Sequence, residues 1–422
     1  MKASKYTLLF PEDNHFICYN TISGSYIRMS SDYTTDDDFH YERIPNEMID
    51  QLEKMHFIVQ DDDNEESFII QRYLETEQEY SKVLYVTIEI TTYCNLSCGF
   101  CYQQSWKQRR LLQNDVIDHI IQLIRNSKII FEEINIDIIG GEPFINRDKV
   151  LYVYSSFKRL CYEMDIRLSV KLNTNGFLLD AQTLSSFHNT EIMLPFLDEN
   201  DYGTIVQSKQ GSSTVNLYSS LKDIVLAWKP VLEQDHSKRV LFRYNANHNN
   251  YQRIDCFFKT ISAFGLPNYG VYIVNTGNFP GNKFVNRLTD ENFFDWYISK
   301  VMPLCKKHNI KYPILPRNAI SKCKAQRPFS FKVFADGRIG LCNGLDYSEE
   351  NPYLLHLSSL NEINELFASI KTYRYVIDEN KCQSCPMVFL CGGNTPCKKN
   401  QCPFDYNSVI RFIRKKLELD KK

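Results

Sequence analysis

Leu84-Tyr85-Val86-Thr87-Ile88-Glu89-Ile90 runs through Thr91-Thr92-Tyr93 into Cys94-Asn95-Leu96-Ser97-Cys98-Gly99-Phe100-Cys101-Tyr102. The first seven residues read as a strand, rich in apolar and β-branched side chains. The loop after it spaces three thiols as C-x-x-x-C-x-x-C. Thiolates so placed hold metals, and they select zinc or iron–sulfur clusters. A structural zinc site wants a fourth ligand. Three thiolates on a [4Fe–4S] cluster leave one iron open, and an open iron can bind a reactant.

The chain alternates strands and helices beyond this point. Ile117, Ile120, Ile121 and Ile124 recur at helical spacing, and Asn114 is the expected cap of their helix. Ile134–Ile139 reads as a strand and leads into Gly140-Gly141-Glu142-Pro143. Asn146 is the expected cap of a helix to about Met164. Arg167–Leu172 is a strand and leads into Asn173-Thr174-Asn175-Gly176. Glu191–Leu197, Arg239–Tyr244 and Gly270–Asn275 are further strands, and a helix at Tyr251–Phe264 stops at Gly265. Such alternation predicts a parallel sheet. Each unusual motif directly follows a strand, where the chemistry of barrel folds sits. Gly140 and Gly141 lack Cβ atoms and so allow close backbone approach to a ligand.

Three segments follow from these patterns: 1–80, 82–310 and 311–422. The first carries short strands at Tyr6–Phe10, His15–Tyr19 and Ser25–Met29, a helix at Asn46–Met55 and a strand at His56–Gln60. Asp61-Asp62-Asp63-Asn64-Glu65-Glu66 reads as a solvated linker. The last gathers Cys323, Cys342, Cys382, Cys385, Cys391, Cys397 and Cys402. It opens on a hairpin of Phe331–Phe334 and Ile339–Cys342 about Asp336-Gly337. Two zinc ribbons are the competing reading of those thiols. Cys18, Cys161 and Cys256 read as buried packing residues.

The cysteine run, the Gly140–Pro143 segment and Asn173–Gly176 together resemble the radical S-adenosylmethionine (SAM) enzymes. The C-terminal cysteines resemble the SPASM extension of peptide-modifying members. The resemblance covers about residues 84–405. It implies an α/β fold, a partial (β/α)6 TIM-like radical SAM barrel, with a small N-terminal winged-helix-like peptide-recognition domain and a C-terminal cysteine-rich SPASM domain. It implies that Cys94, Cys98 and Cys101 ligate a [4Fe–4S] cluster whose open iron takes SAM. Phe100 would pack near the adenine, and Gly140, Gly141, Glu142, Pro143 and Asn175 would line the SAM site. Cys382, Cys385, Cys391 and Cys402 would hold one auxiliary cluster; Cys323, Cys342 and Cys397 would hold another, with Cys305 as an alternative fourth ligand. One segment departs from the pattern. The family's Ser-x-Asp-Gly-like stretch has Pro195-Phe196-Leu197-Asp198-Glu199 as its best match here, and no arginine stands between Arg167 and Arg239.

The function expected is reductive cleavage of SAM to a 5′-deoxyadenosyl radical and modification of a ribosomally made precursor peptide, through a thioether or carbon–carbon cross-link. An anaerobic sulfatase-type, formylglycine-forming maturase is the alternative, and a scaffold that does not cleave SAM is the non-enzyme reading. Expected partners are a precursor peptide with its leader and an electron donor such as flavodoxin or ferredoxin. The chain has 422 residues, 43% hydrophobic and 24% charged, with a formal net charge of −2. That balance advertises no nucleic acid. No apolar run approaches the ~20 residues that span a bilayer, and Met1-Lys2-Ala3-Ser4-Lys5-Tyr6 has no signal-peptide core. The sequence therefore predicts a cytoplasmic protein without a membrane partner.

Overall fold

Both faces of the first strands are apolar, and both are buried. In a computed structural model of the chain, residues 1–35, 38–101, 103, 109–209, 216–276, 286–310, 324, 327–340, 354–357, 360, 362–370, 385–391 and 406–420 are described. They fall into two compact units. Met1–Glu79 joins Ile314–Arg327 and Tyr373–Lys422; Tyr80–Pro313 joins Pro328–Thr372.

The first unit holds β1 (Lys2–Ala3), β2 (Thr7–Glu12), β3 (His15–Asn20), β4 (Tyr26–Ser30) and β5 (Ile58–Val59). β2, β3 and β4 form an antiparallel meander, and β1 pairs with β5. Gly24 takes the positive φ of 70° that the turn before β4 requires. Leu8 lies opposite Tyr19 and Phe10 opposite Ile17. That face packs on Leu390 and on Val409, Ile410, Ile413 and Leu417 of the helix Tyr406–Asp420. Leu9, Cys18 and Met29 project to the other face, against Phe39, Ile44, Leu52, Phe57 and Ile58. Leu52 belongs to the helix Asn46–Lys54. The acidic run is not merely a solvated linker. Glu65 opens the helix Glu65–Ser81, and its buried carboxylate accepts from Ser4 Oγ and from the Lys5 amide at 3.1 Å.

The second unit is built on one sheet. Its strands are β6 (Val83–Glu89), β8 (Glu133–Ile139), β9 (Arg167–Asn173), β10 (Thr190–Pro195), β12 (Lys238–Ala246), β13 (Tyr269–Asn275), β14 (Ser330–Val333), β15 (Arg338–Gly340) and β16 (Leu355–His356). β7 (Leu96–Cys98) and β11 (Val206–Ser208) form a separate ribbon. The sheet order is β13-β12-β10-β9-β8-β6-β14-β15-β16. From β13 to β14 every pairing is parallel. The six strands marked out by the sequence thus stand in chain order without reversal, unlike a doubly wound sheet. Helices Asn114–Arg125, Arg147–Met164, Leu217–Gln234 and Ile254–Ala263 make the longer crossovers. Asn146 caps its helix, accepting from the Lys149 amide at 3.0 Å. Asn114, expected as a cap, is instead the first helical residue, and Gln113 before it makes no side-chain cap bond. The hairpin about Asp336-Gly337 forms, with Gly337 at φ 84°. Its first strand also joins β6, which extends the sheet beyond the six expected strands. No helix among the described residues is long and apolar enough to cross a membrane.

Candidate functional site

The sheet delivers its motifs to one end. β6 releases Ile90–Tyr93, and the Ile90 and Thr92 backbones pair with the returning chain at Leu112 and Arg110. Cys94 follows, then β7, whose Cys98 lies opposite Val206 of β11. Gly99 N donates to Ile205 O at 2.9 Å, and Lys209 N to Asn95 O at 3.0 Å. A cysteine loop that would otherwise be irregular is therefore clamped as a strand. β11 carries no signal in the sequence, because three residues are too short for a period.

Leu96, Leu197 and Val206 form an apolar wall against which Cys94, Cys98, Phe100, Phe177 and Tyr202 pack. Burial pushes the Cys94 thiol up to about 11. Burial raises Cys98 further, and the neighbouring Cys101 and Cys94 add to it. Both thiols are thus protonated near neutral pH, and a metal must displace those protons to bind. Among the described residues no three His, Cys, Asp or Glu side chains close on a point as a single ion requires. Cys94, Cys98 and Cys101 lie within electrostatic reach of one another. Thiolates are the ligands of iron–sulfur clusters, and an apolar wall shields such a cluster from solvent. The donor set fits an iron–sulfur cluster.

The glycines approach the chain itself. A Cβ on Gly141 would meet Tyr93 O at 2.1 Å, and one on Gly140 would meet Thr91 O at 2.7 Å. Gly141 N donates to Thr91 O at 2.7 Å and Glu142 N to Tyr93 O at 2.6 Å. This segment fixes the three residues that precede Cys94. The Glu142 carboxyl is fully buried. It accepts from Thr174 Oγ1 at 2.7 Å, Asn175 N at 2.7 Å and Phe144 N at 3.1 Å. Burial still raises it to about 7, against the pull of those donors. Pro143 opens a short helical turn, Pro143–Asn146, and is buried. Asn175 stands at Cys94: its Nδ2 is 3.8 Å from the thiol and 2.8 Å from Asn95 Oδ1.

Asp198, in the divergent segment quoted from the sequence, is joined by Arg253, Asp201, Asn250 and Tyr202, which the sequence did not single out. Asp198 Oδ1 accepts from Arg253 Nε at 2.8 Å. Arg253, on the short helical turn Tyr251–Arg253 after β12, brings a guanidinium to this segment. Asp201, fully buried, accepts from Asn250 Nδ2 at 2.6 Å, and burial raises its carboxyl to about 6. The asparagine-rich run Asn245-Ala246-Asn247-His248-Asn249-Asn250 was the available signal. Tyr202 accepts from Leu197 N at 3.4 Å.

Of the C-terminal thiols, Cys385 is half-buried, and Cys391 ends the short helix Val388–Cys391. Cys323, Cys342, Cys382, Cys397 and Cys402 lie outside the described residues. Cys305, Cys18 and Cys161 are buried; Cys256, expected inside, is exposed, because it lies on the face of its helix away from buried Ile254, Phe257, Phe258 and Ile261.

Residues 88–200 match the Radical SAM superfamily. A curated S-adenosylmethionine-dependent nucleotide dehydratase from Psychrobacter lutiphocae is 26% identical over 171 residues, 38% of this chain and 53% of the relative. The chain thus aligns with only about half the length of that relative. Native anSMEcpe with bound AdoMet, solved also with the Cp18Cys peptide, shares the fold at a TM-score of 0.58 and 14% identity, over 80% of this chain and 97% of that one. SuiB of Streptococcus suis bound to S-adenosylmethionine matches at 0.51 and 14%, over 97% and 100%. The likeness to the radical SAM superfamily thus rests on residues 88–200, the part of the chain that carries the cysteine loop and the Gly140–Pro143 segment.

Proposed function

We propose that this chain is a radical SAM enzyme, a peptide maturase acting on a ribosomally made precursor. The observation that carries its chemistry is the ribbon that fixes Cys98 between Cys94 and Cys101, with Cys94 and Cys98 against an apolar wall, beside an Asn175 held by Glu142. Those thiols would hold the cluster. When bound, cluster and SAM supply an organic radical able to abstract hydrogen from an unactivated C–H bond. The chain's own part is to bind, orient and exclude water. Asn175, Phe100 and the backbone of Gly140–Pro143 would border the SAM, with Glu142 fixing the loops on either side.

The peptide reading is supported by the first unit. β4 has a pairing partner on one side only among the described strands, and Tyr26 at its start is exposed. An extended leader can add to such an edge through main-chain hydrogen bonds. The solved anSMEcpe with a bound peptide supports the same substrate class. Auxiliary clusters on the C-terminal thiols, and a flavodoxin- or ferredoxin-like electron donor, complete the proposal.

Anaerobic reconstitution tests it. The expected product of SAM and reductant is 5′-deoxyadenosine, and co-expression with a precursor peptide encoded nearby should remove two hydrogens for each bond formed. Protein holding zinc without sulfide would refute the radical chemistry. A precursor left at unchanged mass would refute the maturase. The dehydratase relative favours a second reading, a nucleotide substrate; nucleoside triphosphates that are consumed with SAM, in the absence of any peptide, would support it. Formylglycine formation on a Cys- or Ser-containing peptide, detected by aldehyde labelling, would support the sulfatase-maturase alternative.

A further inference from the structure

Beneath the cysteine loop lies a pair of opposite charges. Glu89, the last residue of β6, has no exposed side-chain surface, and Lys332 on β14 is 1% exposed. Lys332 Nζ is 3.4 Å from Glu89 Oε2 and 3.9 Å from the centre of the Phe334 ring. Lys332 faces Thr87 across the strands, so the ammonium lies on the same sheet face as Glu89. The other carboxylate oxygen points toward the loop: Gln103 Nε2 donates to Glu89 Oε1 at 3.1 Å. Gln103 is two residues past Cys101.

Burying two charges is expensive, and such a pair adds little net stability over an apolar replacement. What it does provide is a fixed acceptor. A carboxylate held by an ammonium on one oxygen presents the other in a set direction, through a charge-assisted hydrogen bond. That acceptor serves the exit of the cysteine loop. β7 ends at Cys98, Cys101 N donates to Cys98 O at 2.9 Å, and Gln103 then meets Glu89. Arg110 is tied separately, by its ion pair with Asp336.

We propose that Glu89 is a positioning residue for the radical chemistry: neutralised by Lys332, it holds Gln103 and through it places Cys101 for SAM to bind. This rests on the reading of Cys94, Cys98 and Cys101 as cluster ligands. Lys332 lies on the first strand of the hairpin that precedes Cys342 in the sequence, so the C-terminal segment contributes directly to the cysteine loop.

The test uses the full-length reconstituted enzyme. Gln103→Ala removes a half-buried amide and should keep the wild-type iron content and melting temperature. Its KM for SAM should rise about tenfold, as expected for a small misplacement of bound groups, and the electron paramagnetic resonance spectrum of the reduced cluster should respond less to added SAM. Lys332→Met leaves a lone buried carboxylate and should lower iron loading. The exchange Glu89→Lys/Lys332→Glu should restore loading and bring KM to within about threefold of wild type, since the Gln103 carbonyl can accept from the new ammonium. A Gln103→Ala enzyme with wild-type KM and spectrum would overturn the inference. So would an exchange that fails to recover loading. Wild-type protein that takes up no iron and sulfide would instead remove the cluster reading underneath it.

Discussion

Glu142 has three donors aimed at a carboxyl with no exposed surface, and the buried charge is still unfavourable. Its pKa is raised from 4.5 to about 7. Between those values the unfolded chain ionises while the native one keeps its proton. Native protein then binds more protons, so stability falls as pH rises through this window. The loss amounts to roughly 3 kcal/mol at about 1.4 kcal/mol per unit. Denaturant unfolding of Glu142→Gln between pH 4.5 and 8 should lack this decline; an unchanged slope would show that Glu142 ionises freely. Gly141 gives a steric counterpart. Alanine there drives Cβ into backbone at 2.1 Å, whereas at Gly203, with φ 87°, the Cβ meets nothing. Gly141→Ala should lower the melting temperature and iron loading together, by about 3 kcal/mol or more. Gly203→Ala should cost about 1 kcal/mol from its dihedral alone. The sequence marked this glycine pair as a place of close approach. It did not disclose that the approaching group is the chain's own Thr91–Tyr93, because a missing Cβ says nothing about what fills the space.

At the scale of elements, the strands of the sheet were legible because each is a β-rich run flanked by turn residues, and their edges shifted by only one or two positions. The β7–β11 ribbon was not: its registry depends on residues 108 positions apart in Val206 and Cys98, and neither partner is long enough to show alternation. The helix Glu65–Ser81 was missed because its exposed apolar residues, Ile70 and Leu74, gave it no clear buried stripe, and an acidic start reads equally as linker. Caps divide the two helices that flank the site. Asn146 caps Arg147–Met164, and Gln113 leaves Asn114–Arg125 uncapped. Asn146→Ala should lose about 1 kcal/mol, and Gln113→Ser, at β-region dihedrals suited to a cap, should gain about 0.5–1 kcal/mol. Equal effects from the two changes in thermal melts would mean that the cap bonds carry no stability here.

Across the whole molecule, the first unit is closed by chain that the sequence assigned elsewhere. Thr7-Leu8-Leu9-Phe10 and Phe16-Ile17-Cys18-Tyr19 are apolar without alternation, which is the signature of a sheet covered on both sides. One cover is local. The other, the helix Tyr406–Asp420, lies nearly 400 residues away, and no periodicity in the meander could name it. Tyr6 stacks edge-on to Phe389 at 5.3 Å, and Thr21 Oγ1 donates to Pro386 O at 2.8 Å, so the segment from Cys385 to Cys391 joins the same core. Each large apolar side chain fully buried contributes about 1.5–3 kcal/mol. Removing the helix uncovers Leu8, Phe10, Ile17 and Tyr19 at once and deletes Val409, Ile410, Ile413 and Leu417, a loss on the order of the whole 5–15 kcal/mol margin of a typical domain. Leu9, Cys18 and Met29 keep theirs. A chain ending at residue 405 should therefore keep the second unit folded and lose the native packing of the first. Amide hydrogen exchange should rise across β2 and β3 while β8 and β9 stay protected, and dye binding to exposed apolar surface should appear. If the truncated chain protected β2 and β3 as the full chain does, the meander would be stable on its local cover alone, and the helix Tyr406–Asp420 would be an accessory to that core instead of a wall of it.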